Sequence, residues 1–236
     1  MSGWARRRVW TAAKVLPAPG GWTVHLDDKP VMTPARAPLV VPTPAMAEAI
    51  AAEWQAQDKV VDPRTMPVTR MANSALDKVA PSHAAVVAHL AAYGETDLLC
   101  YRAETPAELA ARQAEAWDPL LDWAAEALGA RLRVGVGVLP VMQDRAALDR
   151  LSARVAAHDT FALTGLHDLV ALSGSLVLGL AVAEARLEAD AAWVLSRLDE
   201  DWQIAQWGED DEATASAQAR RDGFVTAARF LQWARK

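Results

Sequence analysis

The chain has a single cysteine, Cys100, among its 236 residues. One cysteine excludes an internal disulfide and a zinc site with several thiolate ligands, and it fits a protein of a reducing compartment. Basic residues are also few, since 24 Lys and Arg stand against 30 Asp and Glu and give a net charge of −6. General nucleic-acid binding needs a basic surface that displaces counterions from phosphates, so this charge argues against it.

Long apolar runs are absent as well. No run reaches the roughly 20 residues that a membrane-spanning helix requires. The nearest candidate, residues 163–183, is interrupted by His167, Asp168 and three glycines. The basic N-terminus is not followed by the apolar segment of a signal peptide. We therefore expect no membrane insertion and no targeting peptide.

The usual signatures of catalysis and nucleotide binding are missing. The sequence contains no P-loop, no HExxH and no GxSxG pattern, and Gly135-Val136-Gly137 lacks the third glycine of a dinucleotide fingerprint. Cys100 lies in an apolar run and is predicted to be buried. His167 and Asp168 are adjacent, so we expect their side chains to diverge on a helix instead of pairing. These patterns single out no catalytic residue and no phosphate-binding loop.

Hydrophobic periodicity predicts an α+β fold with two domains. The first, residues 1–62, is a small β-rich domain with one covering helix, and the second, residues 63–236, is larger and mostly α-helical. Thr43 followed by Pro44 predicts the start of the covering helix, because threonine is a good N-cap and proline is tolerated at the first helical position. The predicted strands of the first domain are 9–16, 22–26 and 39–41, and residues 27–30 are predicted to form a turn.

The second predicted domain consists of helices joined by short connections, one of which is a bend at Ser173-Gly174-Ser175, where glycine permits a close approach of two helices. Thr105 with Glu108 three residues later predicts a capping box at the start of the third helix. Strand-like segments are expected at 96–102 and 132–139. The predicted helices are 67–80, 82–93, 106–128, 144–158, 163–172, 175–187, 189–207 and 211–234.

The acidic segment, residues 199–213, is the most unusual stretch of the chain. It holds seven carboxylates, no Lys or Arg, and two tryptophans, Trp202 and Trp207. Large apolar rings among charges indicate a surface that meets a partner. If residues 189–207 form one continuous helix, their apolar side chains lie on two opposite arcs. Such a helix is either central in a bundle or keeps one face for a partner. One arc holds Leu195, Leu198, Trp202 and Ala205, and the other holds Trp193, Glu200, Ile204 and Trp207.

The four consecutive carboxylates of residues 209–212 allow three interpretations. Acidic residues at a helix start are favoured by the helix dipole. They also steer a basic protein partner. Third, they could bind a divalent cation, although the EF-hand spacing and its turn glycine are lacking. A metal-dependent hydrolase that uses this cluster is therefore the alternative to a binding protein.

Several stretches of the chain resemble the ATP12 family, the assembly chaperones of the F1 sector of ATP synthase. The resemblance extends over residues 7–230. It includes residues 51–55, and its most specific stretches are 53–57 (EWQAQ) and 96–103 (TDLLCYRA). The other stretches that carry it are Arg7 to Trp10, Leu26 to Pro30 with Thr33-Pro34, Met66 to Arg70 with Asn73 and Asp77, Trp117 to Pro119, Asp199-Glu200, Gln203 and Trp207-Gly208.

The resemblance implies two domains, no enzymatic activity, no cofactor, and binding of the unassembled F1 α subunit. It implies a functional acidic residue shortly after the Trp-Gly pair, at Asp211 or Glu212 in this chain. The lack of a targeting extension fits a bacterial member that works in the cytoplasm. Combined with the acidic segment, the resemblance predicts a set of partner-binding residues, called here the docking residues: Glu200, Trp202, Trp207, Asp211 and Glu212.

Overall fold

The computed structural model describes residues 7–235 and begins with an antiparallel sheet. Strand β2 is central and pairs with the other three strands, so its two edges are both covered within the sheet. Pro30, expected in a turn, lies in a short strand instead. The strands are β1 (Ala13–Ala18), β2 (Gly21–Leu26), β3 (Lys29–Pro30) and β4 (Val40–Val41).

Helix α1 (Pro44–Gln55) packs against this sheet. The Oγ1 of Thr43 accepts a hydrogen bond from the backbone N–H of Met46 at 3.3 Å, which confirms the predicted N-cap. Met46 and Ile50 are fully buried on the face toward the strands. The first helix of the chain therefore begins where its local sequence signals place it.

The rest of the chain is mostly helical, and strands and helices together confirm the α+β class. Two short strands, β5 (Tyr101–Arg102) and β6 (Gly135–Val136), form a parallel pair. None of the helices within residues 7–235 has both the length and the apolar character to cross a membrane. These helices are α2 (Pro67–Ser74), α3 (His83–Ala91), α4 (Ala107–Ala127), α5 (Arg145–Ala156), α6 (Thr160–Ser173), α7 (Leu176–Ala183), α8 (Ala189–Ser196), α9 (Leu198–Trp207) and α10 (Asp211–Ala234).

Two compact units divide the chain differently from the boundary expected at residue 62. The first contains residues 7–83, 160–165 and 229–235, and the second contains 84–159 and 166–228. In the first unit the carboxylate of Glu53 on α1 accepts hydrogen bonds from the backbone N–H groups of Val68 and Thr69 at 2.7 and 2.8 Å. Since α2 is tied to α1 in this way, the first unit continues past residue 62, and the two-domain division stays a prediction.

In the second unit α6 and α7 are joined by a tight bend at Ser173-Gly174-Ser175, as the sequence predicted. Gly174 has φ +73°, a conformation that glycine adopts without strain. The hydroxyl of Ser175 then caps α7 by accepting the N–H of Leu178 at 3.0 Å. All eight residues of α7 are buried, so this helix forms the centre of the second unit.

The start of α4 differs from the prediction. The helix begins at Ala107, and Pro106 occupies the cap position with an extended ψ of 159°. No side chain caps this end, so the capping box expected from Thr105 and Glu108 is wrong. Glu108 lies in the first turn of α4, but Thr105 precedes the cap residue, and the extended backbone at Pro106 separates it from that turn.

Candidate functional site

The predicted single helix over 189–207 is two helices, α8 and α9, with a break at Arg197. Arg197 has φ −108° and ψ 11°, outside the α-helical region, and α9 starts anew at Leu198. The break changes the helical phase, so the two continuous apolar arcs predicted for this stretch are wrong. Trp193, expected on the same arc as Trp207, is buried at 5% exposure, whereas Trp207 is 79% exposed.

Helix α4 holds the break in place from both sides. The indole N–H of Trp117 donates to the carbonyl oxygen of Leu195 at 3.0 Å, near the end of α8. The side-chain amide of Gln113 donates to Asp199 Oδ1 at 2.7 Å, in the first turn of α9. The other end of the same amide accepts the backbone N–H of Ala103 at 2.7 Å. The first residue of the acidic segment, Asp199, is therefore held in place by α4.

Two guanidinium groups surround the buried ring of Trp193. Arg197 lies 5.9 Å and Arg220 lies 5.8 Å from its ring centroid, within cation–π range. Arg197 also approaches Glu200 at 3.7 Å and Asp201 at 3.6 Å. The acidic segment itself contains no basic residue, but the arginine just before it offsets part of the charge of its first turn.

A groove lies between α4 and the α8–α9 pair, with a cavity volume of about 370 Å³. Apolar and charged side chains line it together, and Val194 is 61% exposed. A mixed lining of this kind suits an apolar group beside a charged one. The residues that line it are Arg112, Glu115, Ala116, Val194, Leu195, Leu198 and Asp201.

The docking residues lie on α9 and at the start of α10. Trp207, at the end of α9, exposes most of its ring, whereas Trp202 is half-buried. The side chain of Glu200 is about half exposed beside Arg197. Asp211 and Glu212 are exposed in the first turn of α10. The structure therefore presents an exposed ring and exposed carboxylates on neighbouring elements, while their role in partner binding stays a prediction.

The four carboxylates of residues 209–212 do not converge. All four residues are exposed, and Asp210 Oδ1 accepts the backbone N–H of Ala213 at 2.8 Å, which caps α10. Within residues 7–235 no group of three or more His, Cys, Asp or Glu is placed to hold a metal ion. A metal-dependent hydrolase needs such converging ligands, so the geometry gives this alternative no support.

The residues of 96–103 form the support beneath the site, a role that sequence reasoning missed. Asp97 is fully buried, and its carboxylate accepts hydrogen bonds from Leu99 N–H, Ser175 Oγ–H and Val177 N–H at 3.0, 2.7 and 3.0 Å. Burial raises the pKa of Asp97, while these hydrogen bonds act in the opposite direction. Cys100 is fully buried, as predicted, and burial together with Asp97 raises the pKa of its thiol to about 12.

Arg102 completes this support. Its guanidinium donates to the carbonyl oxygen of Leu99 at 2.6 Å and pairs with Asp118 on α4. It also lies 5.2 Å from the ring centroid of Trp117. The only sequence signal for these positioning residues was their place in the stretches that resemble the ATP12 family.

His167 and Asp168 do pair, contrary to the expectation that adjacent side chains on a helix diverge. His167 Nδ1 lies 2.9 Å from Asp168 Oδ1. The ring of His89 stacks on His167 with centroids 6.0 Å apart. The hydrogen bond with Asp168 raises the pKa of His167, and burial opposes that rise.

Replacing Asp168 with Asn is expected to lower the pKa of His167, because the hydrogen-bonded carboxylate is lost and burial remains. A raised histidine pKa stabilises the fold fully below the unfolded value near 6.5 and loses that contribution as the pH rises through the folded pKa. The stability difference between wild type and Asp168→Asn should therefore be largest in mild acid and disappear in base. NMR titration of His167 and melting curves across this pH range measure both effects. An unchanged His167 pKa, with Asp122→Asn as control, would contradict the expectation.

Comparison with known proteins gives consistent results. A family model described as ATP12 chaperone protein matches residues 7–125. The crystal structure of Atp12 from Paracoccus denitrificans is 52% identical, covers 97% of this chain and 98% of that chain, and has a TM-score of 0.94. An Asp-to-Lys mutant of the Paracoccus denitrificans protein is 51% identical, with 99% and 100% covered and a TM-score of 0.95.

A third structure, from Agrobacterium tumefaciens, is described as a candidate chaperone. It is 41% identical, with 97% of this chain and 86% of that chain covered and a TM-score of 0.92. The family model covers half of the chain, and the structural similarity extends over nearly all of it. The chain is therefore a member of the ATP12 chaperone family.

Proposed function

We propose that this protein is an assembly chaperone of the F1 sector of ATP synthase, acting in the bacterial cytoplasm. It binds the unassembled α subunit, shields the surface that will meet the β subunit, and releases it when β takes its place. No nucleotide hydrolysis is involved. The observation that carries this proposal is membership of the ATP12 chaperone family over nearly the whole chain.

The physical need for such a protein follows from the client. A subunit that is destined for a ring exposes an apolar interface before its neighbour arrives, and apolar patches of this kind drive aggregation. A protein that covers the patch lowers the concentration of the aggregating form. Release needs no energy source if the β subunit binds the same surface more tightly, because mass action then displaces the chaperone.

The docking residues supply both parts of such a surface. The exposed ring of Trp207 offers a large apolar area for burial, as aromatic anchors do at interfaces. Asp211 and Glu212 supply negative charge, and within the described residues no ion pair occupies either of them. Free carboxylates at a rim speed association with a basic surface and set its orientation.

Changing Asp211 and Glu212 together to Lys is expected to weaken binding of the α subunit at least tenfold and to reduce its dependence on salt. The reason is that the variant replaces attraction with repulsion at exposed positions. Thermal stability should change little, since two exposed charges in one first turn contribute about 0.3–1 kcal/mol each through the helix dipole. Titration calorimetry with purified α subunit, and light scattering of α subunit alone and with the chaperone, measure binding and protection.

The matched control is the double variant Asp122→Lys and Glu126→Lys. These two exposed carboxylates lie on α4, and the variant changes the net charge by the same amount. It should bind the α subunit as the wild type does. If wild-type protein fails to keep the α subunit in solution, the proposed function is wrong. If the variant at Asp211 and Glu212 binds as well as the control, these residues are not part of the docking surface.

A further inference from the structure

Residues 134–142, called here the apolar loop, carry a second exposed apolar surface. Val138, Leu139 and Met142 are 95%, 76% and 80% exposed, and Val134 and Val136 add to them. Together these side chains expose on the order of 500 Å², within the roughly 300–600 Å² of the largest apolar patch on a typical monomer, which is often functional. Single exposed apolar residues need no explanation, but five in one short segment do.

The apolar loop is closed at its base by a side-chain clamp. Gln143 Oε1 accepts the backbone N–H of Arg133 at 2.8 Å, and Gln143 Nε2 donates to the backbone carbonyl of Arg133 at 2.9 Å. One glutamine thus satisfies both backbone groups of Arg133, as a paired strand would. Val141 packs over Gly135, where an added Cβ would come within 2.3 Å of Val141 Cγ2. The chain therefore enters and leaves the loop at one point, as in a compact surface loop.

The first arm of the loop is fixed to β5. Gly137 turns the chain with φ +76°, and its N–H donates to the carbonyl oxygen of Arg102 at 2.9 Å. Arg102 is itself buried and held by α4 through Asp118. The backbone of the loop is therefore held by this hydrogen bond, whereas the apolar side chains at its tip are exposed to solvent. A binding loop that is ordered before its partner arrives avoids the entropy cost of ordering it during binding.

The apolar loop and the acidic segment share the same support. Gly137 bonds to Arg102, the next residue Ala103 donates to one end of the Gln113 amide, and the other end of that amide donates to Asp199. A single glutamine side chain therefore lies between the strand that carries the loop and the first turn of α9.

We propose that the apolar loop is the second part of the client-docking surface and receives an apolar face of the unassembled F1 α subunit. This inference rests on the proposed function. The exposed apolar area of the loop bears on which partner binds there, because a standard interface buries about 800 Å² on each partner and the loop alone offers less. The loop alone is thus too small to hold a second copy of this chain stably, so we assign it as an addition to the apolar area that Trp207 offers to the client.

The test compares two triple variants with the same chemistry. Val138→Ser, Leu139→Ser and Met142→Ser remove the apolar tip, while Val9→Ser, Leu16→Ser and Met32→Ser remove exposed residues of the same types elsewhere. Affinity for purified α subunit is measured by titration calorimetry, and the mass of each chaperone in solution by analytical ultracentrifugation. The loop variant should bind at least tenfold more weakly with an unchanged melting temperature, and the control variant should bind within twofold of wild type.

Each other outcome has a distinct meaning. Equal affinity of the loop variant and wild type would overturn the inference and leave the proposed function standing. Equal weakening by both triple variants would also overturn it, since the effect would not belong to the loop. A wild-type dimer that the loop variant dissociates would show that the loop binds a second copy. Failure of the wild type to bind the α subunit would instead defeat the proposed function.

Discussion

Replacement of Trp117 with Ala is expected to reduce the free energy of unfolding by about 3–5 kcal/mol, the usual cost of removing a large buried aromatic side chain. Trp117 is fully buried, its indole N–H donates to Leu195, and the guanidinium of Arg102 lies over its ring. The substitution therefore leaves a cavity, an unpaired carbonyl and an arginine without its stacking partner. Urea denaturation followed by circular dichroism measures the loss.

A milder change separates packing from hydrogen bonding. Trp117→Phe keeps most of the volume but leaves the carbonyl of Leu195 unpaired, which should cost about 1–3 kcal/mol. Trp207→Phe is the matched control, since Trp207 is 79% exposed and exposed substitutions usually stay within about 0.5 kcal/mol. If Trp117→Phe is as stable as wild type, the bond to Leu195 does not hold the end of α8, and our account of the break at Arg197 is wrong.

Replacement of Asp97 with Ala is expected to destabilise the protein by about 3 kcal/mol or more, because each buried donor left unpaired costs roughly 1–3 kcal/mol. Three donors lose their acceptor at once: the N–H groups of Leu99 and Val177 and the hydroxyl of Ser175. One of these donors, the N–H of Val177, lies in the first turn of α7, so the N-terminus of that helix loses a buried acceptor. The measurement is equilibrium unfolding in urea at neutral pH.

Two further variants separate the contributions of the individual hydrogen bonds that Asp97 accepts. Asp97→Asn keeps the oxygen that receives Leu99 and Ser175 and loses only the acceptor for Val177, so about 1–2 kcal/mol is expected for one unpaired donor. Ser175→Ala removes one donor and the cap of α7, at a cost of about 1 kcal/mol. Asp97→Ala should have the lowest free energy of unfolding of the three variants. A result in which Asp97→Ala is no worse than Asp97→Asn would show that these hydrogen bonds contribute little.

The elements that the sequence predicted well are those with local signals. Thr43 and Pro44 mark the start of α1, and the acidic run marks the start of α10, which was predicted at 211–234 and is observed at Asp211–Ala234. Helix caps and dipoles act within one turn, so neighbouring residues carry the information. The bend at Gly174 was recognised for the same reason.

The break between α8 and α9 lacked such a signal. Its two anchors come from residues far away in the chain, with Trp117 separated from Leu195 by 78 positions and Gln113 from Asp199 by 86. Periodicity assumes a continuous helix and cannot register a contact of that kind. The different environments of Trp193, which is buried, and Trp207, which is exposed, therefore depend on tertiary contacts that the helical period does not contain.

The conformation of the apolar loop also could not be predicted from local sequence signals. Residues 132–139 were expected to be strand-like, and the observed strand covers only Gly135–Val136. The clamp depends on Gln143, a polar residue with many ordinary roles, and its partner is the backbone of Arg133, which has no sequence signature. A strand over 132–139 was the expectation because a short run of apolar residues usually indicates one.

The burial of Cys100 has a practical consequence for observing this protein at work. With a pKa of about 12 and no exposure, the thiol stays protonated and out of reach of alkylating reagents at neutral pH. Since Cys100 is the sole cysteine, a second one introduced at Val138 would be the only reactive thiol in the molecule. A dye attached there would report arrival and departure of the client in real time, without any change to the native cysteine.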